Sequence, residues 1–156
     1  MRKALLALTT VVVLACSSAS AKDKSENEVR AALDRFITAF NNLDWTTFRL
    51  AFADDVTVFN PDIPETTALH RIDGRQHVES VFAEVFNATK QKTTGPPYLH
   101  IVPRNLRVQA FGPTAIVTFE FERDGGSFGR RTLVFHRVAG HWKIVHIHAS
   151  NVVDRN

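Results

Sequence analysis

The chain has 156 residues, 44% of them hydrophobic and 22% charged, with 12 Phe, 2 Trp, one Cys and a formal net charge of +3. That is one domain of ordinary size with enough apolar side chain for a core. It excludes a disulfide-stapled scaffold, because a single cysteine has no partner within the chain. With no Lys/Arg block and no basic helical stripe, it also leaves nucleic acid and anionic membrane surfaces without an electrostatic footprint.

Residues 1–21 read as an export signal. Arg2 and Lys3 form the basic start, and the apolar run 4–15, broken by Thr9 and Thr10, is too short to span a bilayer. Two exits are open. Ala19, Ser20 and Ala21 fit an A-x-A cleavage site that leaves Lys22 as the new N-terminus. Val13, Leu14, Ala15 and Cys16 resemble a bacterial lipoprotein box, with the lipid on Cys16. A membrane is a partner only if Cys16 is lipidated. Without residues 1–21, Lys plus Arg falls from 19 to 17 against 16 acids, and the net charge falls from +3 to +1. Residues 22–27 are then a polar tether, and 28–152 are the domain.

Ser25 and Glu28 form a capping box that predicts a helix start. Val29, Leu33, Phe36, Ile37 and Phe40 follow at helical spacing as one apolar stripe, and Asn41–Asn42 end it. Asp44 is the predicted cap of a short second helix carrying Trp45, Phe48 and Phe52. A strand is expected over 56–59, then a loop from Asn60 to Asp73 stopped by Pro61 and Pro64. Asp73–Gly74 open a third helix with Val78, Val81, Phe82, Val85 and Phe86 on one stripe. From Tyr98 the period changes to alternation. Strands are expected over 98–102, 105–111, 115–123 and 129–138, with Asp124, Gly125 and Gly126 as a hairpin signal. The last strand spans 142–150. Helices followed by a meandering sheet give an α+β fold, with the sheet wrapped on the helices as a half-open cone.

Strict alternation along the last strand puts Trp142, Ile144, His146, His148 and Ser150 on one face, and Lys143, Val145, Ile147 and Ala149 on the other. The first face starts apolar and ends with two imidazoles about 7 Å apart, the pattern of a strand lining a cavity. His146 and His148 are therefore the candidate acid or base residues, with hydrogen bonding to neighbours as the plain structural reading. Glu120 and Arg131, on neighbouring strands, form either an inward pair that steers a polar ligand or an ordinary cross-strand pair. Leu133 and Thr118 are expected on the same inner face. Asn60 and Tyr98, whose polar ends need partners when buried, are the candidate ligand contacts at the mouth. Trp45 and Phe59 read as core. His70, Arg75 and His77 read as surface, and His136 and His141 as outer-face or turn positions. No cofactor motif is present. A metal would need His146 and His148 plus His100 or Glu120, and no spacing fixes that third ligand, so no metal is expected.

The stretch 132–137 followed by Gly140, His141, Trp142, Lys143, Ile144, Val145, His146, Ile147, His148, Ala149 and Ser150 resembles the C-terminal hairpin of the calcium/calmodulin-dependent protein kinase II association domain and its bacterial SnoaL-like relatives. The W-x-x-V-H-x-H-x-S pattern is its specific part. Ile72, Asp73, Gly74 and Arg75 are similar to the family's turn into the third helix. The resemblance covers roughly residues 25–152 and places the chain in the nuclear transport factor 2-like superfamily. It implies a cone-shaped α+β barrel and a homodimer through the outer face of the sheet, sometimes built into rings. It does not carry a reaction across. The association domains' pocket arginines correspond here to Glu120 and Leu133. Ketosteroid isomerase, another member, needs an Asp base with a Tyr and a protonated Asp, and this chain has one tyrosine, Tyr98, and no matching strand aspartate. The Asp–Arg–Asp set of limonene epoxide hydrolase is not apparent. The expectation is a small, mostly hydrophobic ligand in the cone, with His-mediated proton transfer of isomerase, dehydratase or cyclase type. The alternative is a non-enzymatic homo-oligomeric module, for which Val117, Phe119 and Phe121 are the expected dimer surface.

Overall fold

The computed structural model describes residues 3–61, 71–123 and 127–152, with side chains from Ser20 onward. The element order is α1 (Lys3–Asn41), α2 (Trp45–Arg49), β1 (Phe52–Phe59), β2 (Ile72–Asp73), α3 (Arg75–Lys92), β3 (Arg104–Phe111), β4 (Thr114–Glu122), β5 (Phe128–Val138) and β6 (His141–Val152). The strands form one curved, unclosed sheet in the order β2-β1-β6-β5-β4-β3. Every neighbouring pair is antiparallel except β1 with β6. The expected α+β cone is the fold found. Among the described residues no helix is long and apolar enough to cross a membrane.

Helix α1 runs without a break through Ser25, so the capping box is not a helix start. The residues before Ser25 are already helical, and no orphan N–H groups remain there to be capped. Glu28 has other partners: it accepts hydrogen bonds from the Arg137 guanidinium and, at 3.1 Å, from the Trp142 indole. Arg137 also lies over the Trp142 ring, 4.5 Å from its centroid. These contacts tie α1 to the β5–β6 hairpin and hold the Glu28 carboxyl below the usual carboxylate range. The stripe from Val29 to Phe40 does face the sheet: Val29 and Leu33 are fully buried, whereas residues 20–24 are exposed.

The helix ends at Asn41, as its sequence indicates, and the chain turns through Leu43 in the left-handed region at φ 51°. Asp44 caps α2, its carboxylate accepting from the Thr47 N–H at 3.2 Å. Phe52 is not helical. It opens β1, which begins four residues earlier than expected and carries Asp54 and Asp55 on its exposed side. The expected 60–73 loop contains β2 at its end, paired with β1 at Thr57 and Val58. Pro64 and His70 lie outside the described residues, as does the Asp124–Gly126 turn. The stretch 98–102 is not a strand. It is held instead by the end of α1. The Asn41 carbonyl accepts from the Tyr98 and Leu99 N–H groups at 2.8 and 3.0 Å, and the Asn41 side chain both donates to and accepts from Ile101, at 3.0 Å each way. Alternation there reflects contact with a helix end, which satisfies the same backbone groups that a ladder would.

Phe48 is the centre of the core. It is fully buried, and its ring centroid lies 4.8 to 6.2 Å from those of Phe36, Phe40, Trp45, Phe52, Phe82 and Phe86. These rings come from α1, α2, β1 and α3, so one side chain joins four elements. The sheet's inner face completes the core with Val117, Phe119, Phe121, Leu133, Phe135, Ile144 and Ile147, all buried. Val117, Phe119 and Phe121 therefore face the helices and are not a dimer surface. We expect Phe48→Ala to lower stability by about 3–5 kcal/mol, measured by denaturant unfolding, because the surrounding rings cannot all close on the space it leaves.

Candidate functional site

Between the helices and the inner face of the sheet lies a cavity of about 720 Å³, in the size range of small-ligand sites, roughly 300–1,000 Å³. Its walls come from Phe36 and Phe40 of α1, Phe82 and Val85 of α3, and inward residues of β4, β5 and β6. Thr89, Thr93, Tyr98 and His100, from the end of α3 and the segment after it, form a polar border.

Strand register sorts the sheet wall into rows. One row is Val58, Ile147, Leu133 and Val117, all apolar and buried. Two residues along, about 7 Å away, the paired positions are Ala149, Arg131 and Phe119, with Asn60 just beyond the end of β1 at the same level. A third row is Asn151, Gly129 and Phe121. The wall therefore passes from hydrocarbon to an amide and a guanidinium within one row. Arg131 is held in place by hydrogen bonds to the carbonyls of Arg130 (2.9 Å) and Ser150 (3.2 Å), and its guanidinium carbon sits 4.7 Å from the Phe121 ring centroid. Phe121 in turn lies against Gly129. A Cβ at Gly129 would come within 2.3 Å of that ring, so the glycine is what lets the aromatic floor approach the strand.

Of the candidate residues, Asn60, Tyr98, Arg131 and Leu133 line this cavity. Glu120 does not. Register pairs it with Arg130, not Arg131. On the outer face it lies 3.9 Å from the Arg130 guanidinium and accepts from the Asn105 amide at 3.0 Å. Thr118 shares that outer face, since β4 buries every second residue starting from Ala115.

His146 and His148 are not in the cavity either. Between the pairs Val134–His146 and Phe135–Ile144 the β5–β6 register shifts, and Val145 is an extra residue. This bulge reverses parity. Trp142 and Ile144 point inward before it and Ile147 and Ala149 after it, so both imidazoles turn to the outer face. There His146 Nδ1 is 2.8 Å from the Thr57 hydroxyl, and the Phe59 ring lies 6.2 and 5.8 Å from the two imidazole rings. Phe59, expected in the core, is 38% exposed on this face. His100 borders the cavity on the other side of the sheet from the two imidazoles, and Glu120, on their face, stands on β4 with β5 between it and β6; among the described residues no group of three or more His, Cys, Asp or Glu is placed to hold an ion. His136 lies on the outer face, 2.9 Å from the Thr114 hydroxyl.

Among the lining residues that sequence reasoning passed over are Phe119 and Phe121, read as a dimer surface, with Arg123, Ser127, Ile147 and Ala149. A signal for the parity was present: Ile144 and Ile147, both strongly apolar, stand an odd number of residues apart, which one regular strand cannot bury on a single face.

Burial pushes the His146 imidazole below the usual histidine value, and the nearby charges of His148 and Arg71 add to this. A depressed histidine binds its proton more weakly folded than unfolded, so stability falls as pH drops through the unfolded value and levels off below the folded one. His146→Gln should flatten that loss between about pH 7 and 5, read as the thermal midpoint against pH.

The family model for the SnoaL-like domain matches residues 29–154. Among solved structures, a provisionally named dehydratase of the NTF2-like family from Streptomyces avermitilis is 23% identical, with a TM-score of 0.69 over 84% of this chain and 98% of that one. The CaMKII hub of S. rosetta is 24% identical, TM-score 0.61, over 81% and 96%. A provisionally named ketosteroid isomerase from Parabacteroides distasonis is 21% identical, TM-score 0.60, over 80% and 87%. At such identities these neighbours share the fold. A search of curated proteins finds no significant match.

Proposed function

The chain belongs to the SnoaL-like domain family, and from that premise we propose that it binds a small, mostly hydrophobic molecule in the cavity between its helices and sheet. The observation that carries this reading is the cavity itself, walled by Phe36, Phe40, Phe82, Leu133 and Ile147 and bordered by polar side chains that include Thr93, Tyr98 and Arg131. Proton transfer by His146 or His148 is not part of the proposal, because both imidazoles lie across the sheet from the bound molecule. Binding is tested by thermal shift across hydrophobic carbonyl compounds. At least one class should raise the midpoint. Ala149→Phe, which grows a side chain into the cavity, should abolish that rise, while His146→Ala and His148→Ala should keep it. No stabilisation by any class, or an unchanged response in Ala149→Phe, removes the reading.

A second reading concerns the outer face of the sheet. Register aligns Thr57, His146, Val134, Ile116 and Gln109 across it, and the apolar members Ile116 and Val134 are half-buried, with none of the described helices over them. A second copy on this surface would make the homodimer that the resemblance to the kinase association domains implies. Export is the remaining proposal: residues 1–21 direct secretion or carry a lipid on Cys16, and residues 20–24, around the expected cleavage point, are exposed. Native mass spectrometry of material from producing cells tests both. We expect two copies, each beginning at Lys22 or at an acylated Cys16, and single copies for Val134→Lys. A monomeric wild type, or a chain that retains Met1, overturns the respective proposal.

A further inference from the structure

We propose that proton binding by His146 and His148 controls the association of two copies through the outer face of the sheet, which holds near neutral pH and parts on acidification. This deepens the two-copy reading above and rests on it. The two imidazoles stand in the middle of that face, because β6 is one of the two central strands of the described sheet. Register sets His146 in a row with Thr57, Val134, Ile116 and Gln109, and His148 in the next row with Phe59, Thr132, Thr118 and Arg107. A copy that covers Val134 and Ile116 therefore covers the imidazole beside them. The five strands from β1 across to β3, spaced about 4.8 Å apart and about 26 Å long, present a plane of roughly 600 Å². That approaches the roughly 800 Å² that each partner gives to a standard interface. Phe59, 38% exposed, and Phe111, 59% exposed, stand toward opposite sides of the same face, apolar surface that a second copy takes out of water.

Charge makes this contact depend on protons. Imidazole gains and loses a proton near neutrality, and removal of water costs its charged form more than its neutral one. The carboxylates of the face are spent elsewhere. Asp73 accepts from Arg71 at 2.5 and 3.1 Å, Glu120 accepts from the Asn105 amide and lies 3.9 Å from Arg130, and Glu122 is 2.9 Å from Arg104. Asp55 stands two residues before Thr57, about 7 Å further along β1. Among the described residues neither imidazole is in an ion pair. The other groups of the face are cations or further imidazoles: Arg107 on β3, Lys143 bonded to the Leu50 carbonyl, and His136 and His141 toward the β5–β6 turn. In the single chain, burial already pushes the His146 imidazole below the usual histidine value, with His148 and Arg71 adding to it. A second copy adds burial and brings its own imidazoles. The proton is then held more weakly in the pair than in the single chain, so association is full above the ordinary histidine range and is lost as pH falls through it. Arg71 holds the Asp73 carboxyl below the usual carboxylate range, so that ion pair stays in place across the same window.

The test is sedimentation equilibrium of protein purified from producing cells, from about pH 7.5 to about pH 5.5 at constant ionic strength, with circular dichroism to show that the fold persists. The dissociation constant of the pair should rise about tenfold or more over that range. The double variant His146→Gln with His148→Gln should stay paired throughout, and His136→Gln with His141→Gln should keep the wild-type dependence. A paired wild type with the same dissociation constant at both ends overturns the proposal and leaves the two-copy reading standing. Retention of the dependence in the first variant, or its loss in the second, overturns the assignment to His146 and His148. A wild type that is single at every pH removes the two-copy reading and the proposal with it. Should the first variant fail to fold, His148→Gln alone, at an exposed position, should reduce the rise, and an unreduced rise overturns the proposal.

Discussion

One extra residue in β6 decides what this domain shows to its interior. Val145 sits between two registers of the β5–β6 ladder, and side-chain period in a strand is two, so inserting one residue exchanges the faces of everything beyond it. Ahead of the bulge, Ile144 is buried in the core. Beyond it, Ile147 and Ala149 continue the inner wall and the two imidazoles face out. Without the bulge the same sequence would put His146 and His148 beside the aromatic core and turn Ile147 out. The apolar side chains gain more from burial than the imidazoles, which would also have to lose their hydration, and the ladder gives up one pairing to reach that arrangement.

The helices respond to the same economy of partners. The C-terminal end of α1 has carbonyls with no continuation of the helix to bond them. Asn41 uses both its backbone and its side chain to hold residues 98–101, so an irregular segment lies against the cavity with its backbone satisfied and Tyr98 fixed at the border. At the opposite level of the sheet, Glu28 joins Arg137 and Trp142. Between these ties, the Phe48 cluster fills the space where α1, α2, β1 and α3 meet, and the cavity is what remains between that cluster and the polar end of the sheet.

The polar end is built differently from the apolar one. Its glycine, Gly129, makes room for the Phe121 ring, the ring carries a guanidinium, and the guanidinium is tied to backbone carbonyls of two strands. A guanidinium tied in this way has its plane fixed by the fold. The outer face, by contrast, is assembled from hydroxyls, imidazoles and β-branched residues with an Arg130–Glu120 pair at its margin, the composition of a surface able to meet either water or a second copy.

The sequence by itself determined the α+β class, the apolar stripes of α1 and α3, the Asp44 cap, the strands from β3 onward to within two residues at each end, and four of the residues that line the cavity: Asn60, Tyr98, Arg131 and Leu133. These rest on local periodicity and local turn chemistry, which a chain carries in its own order of residues. Only the tertiary structure decided that α1 passes through Ser25, that residues 98–102 bond a helix end in place of a neighbouring strand, that Glu120 pairs with Arg130, and that His146 and His148 look outward. Each of these depends on a partner distant in the chain. A capping box cannot show whether the preceding segment is helical, alternation cannot show which partner satisfies the backbone, and parity holds only until a ladder with another strand gains or loses a residue.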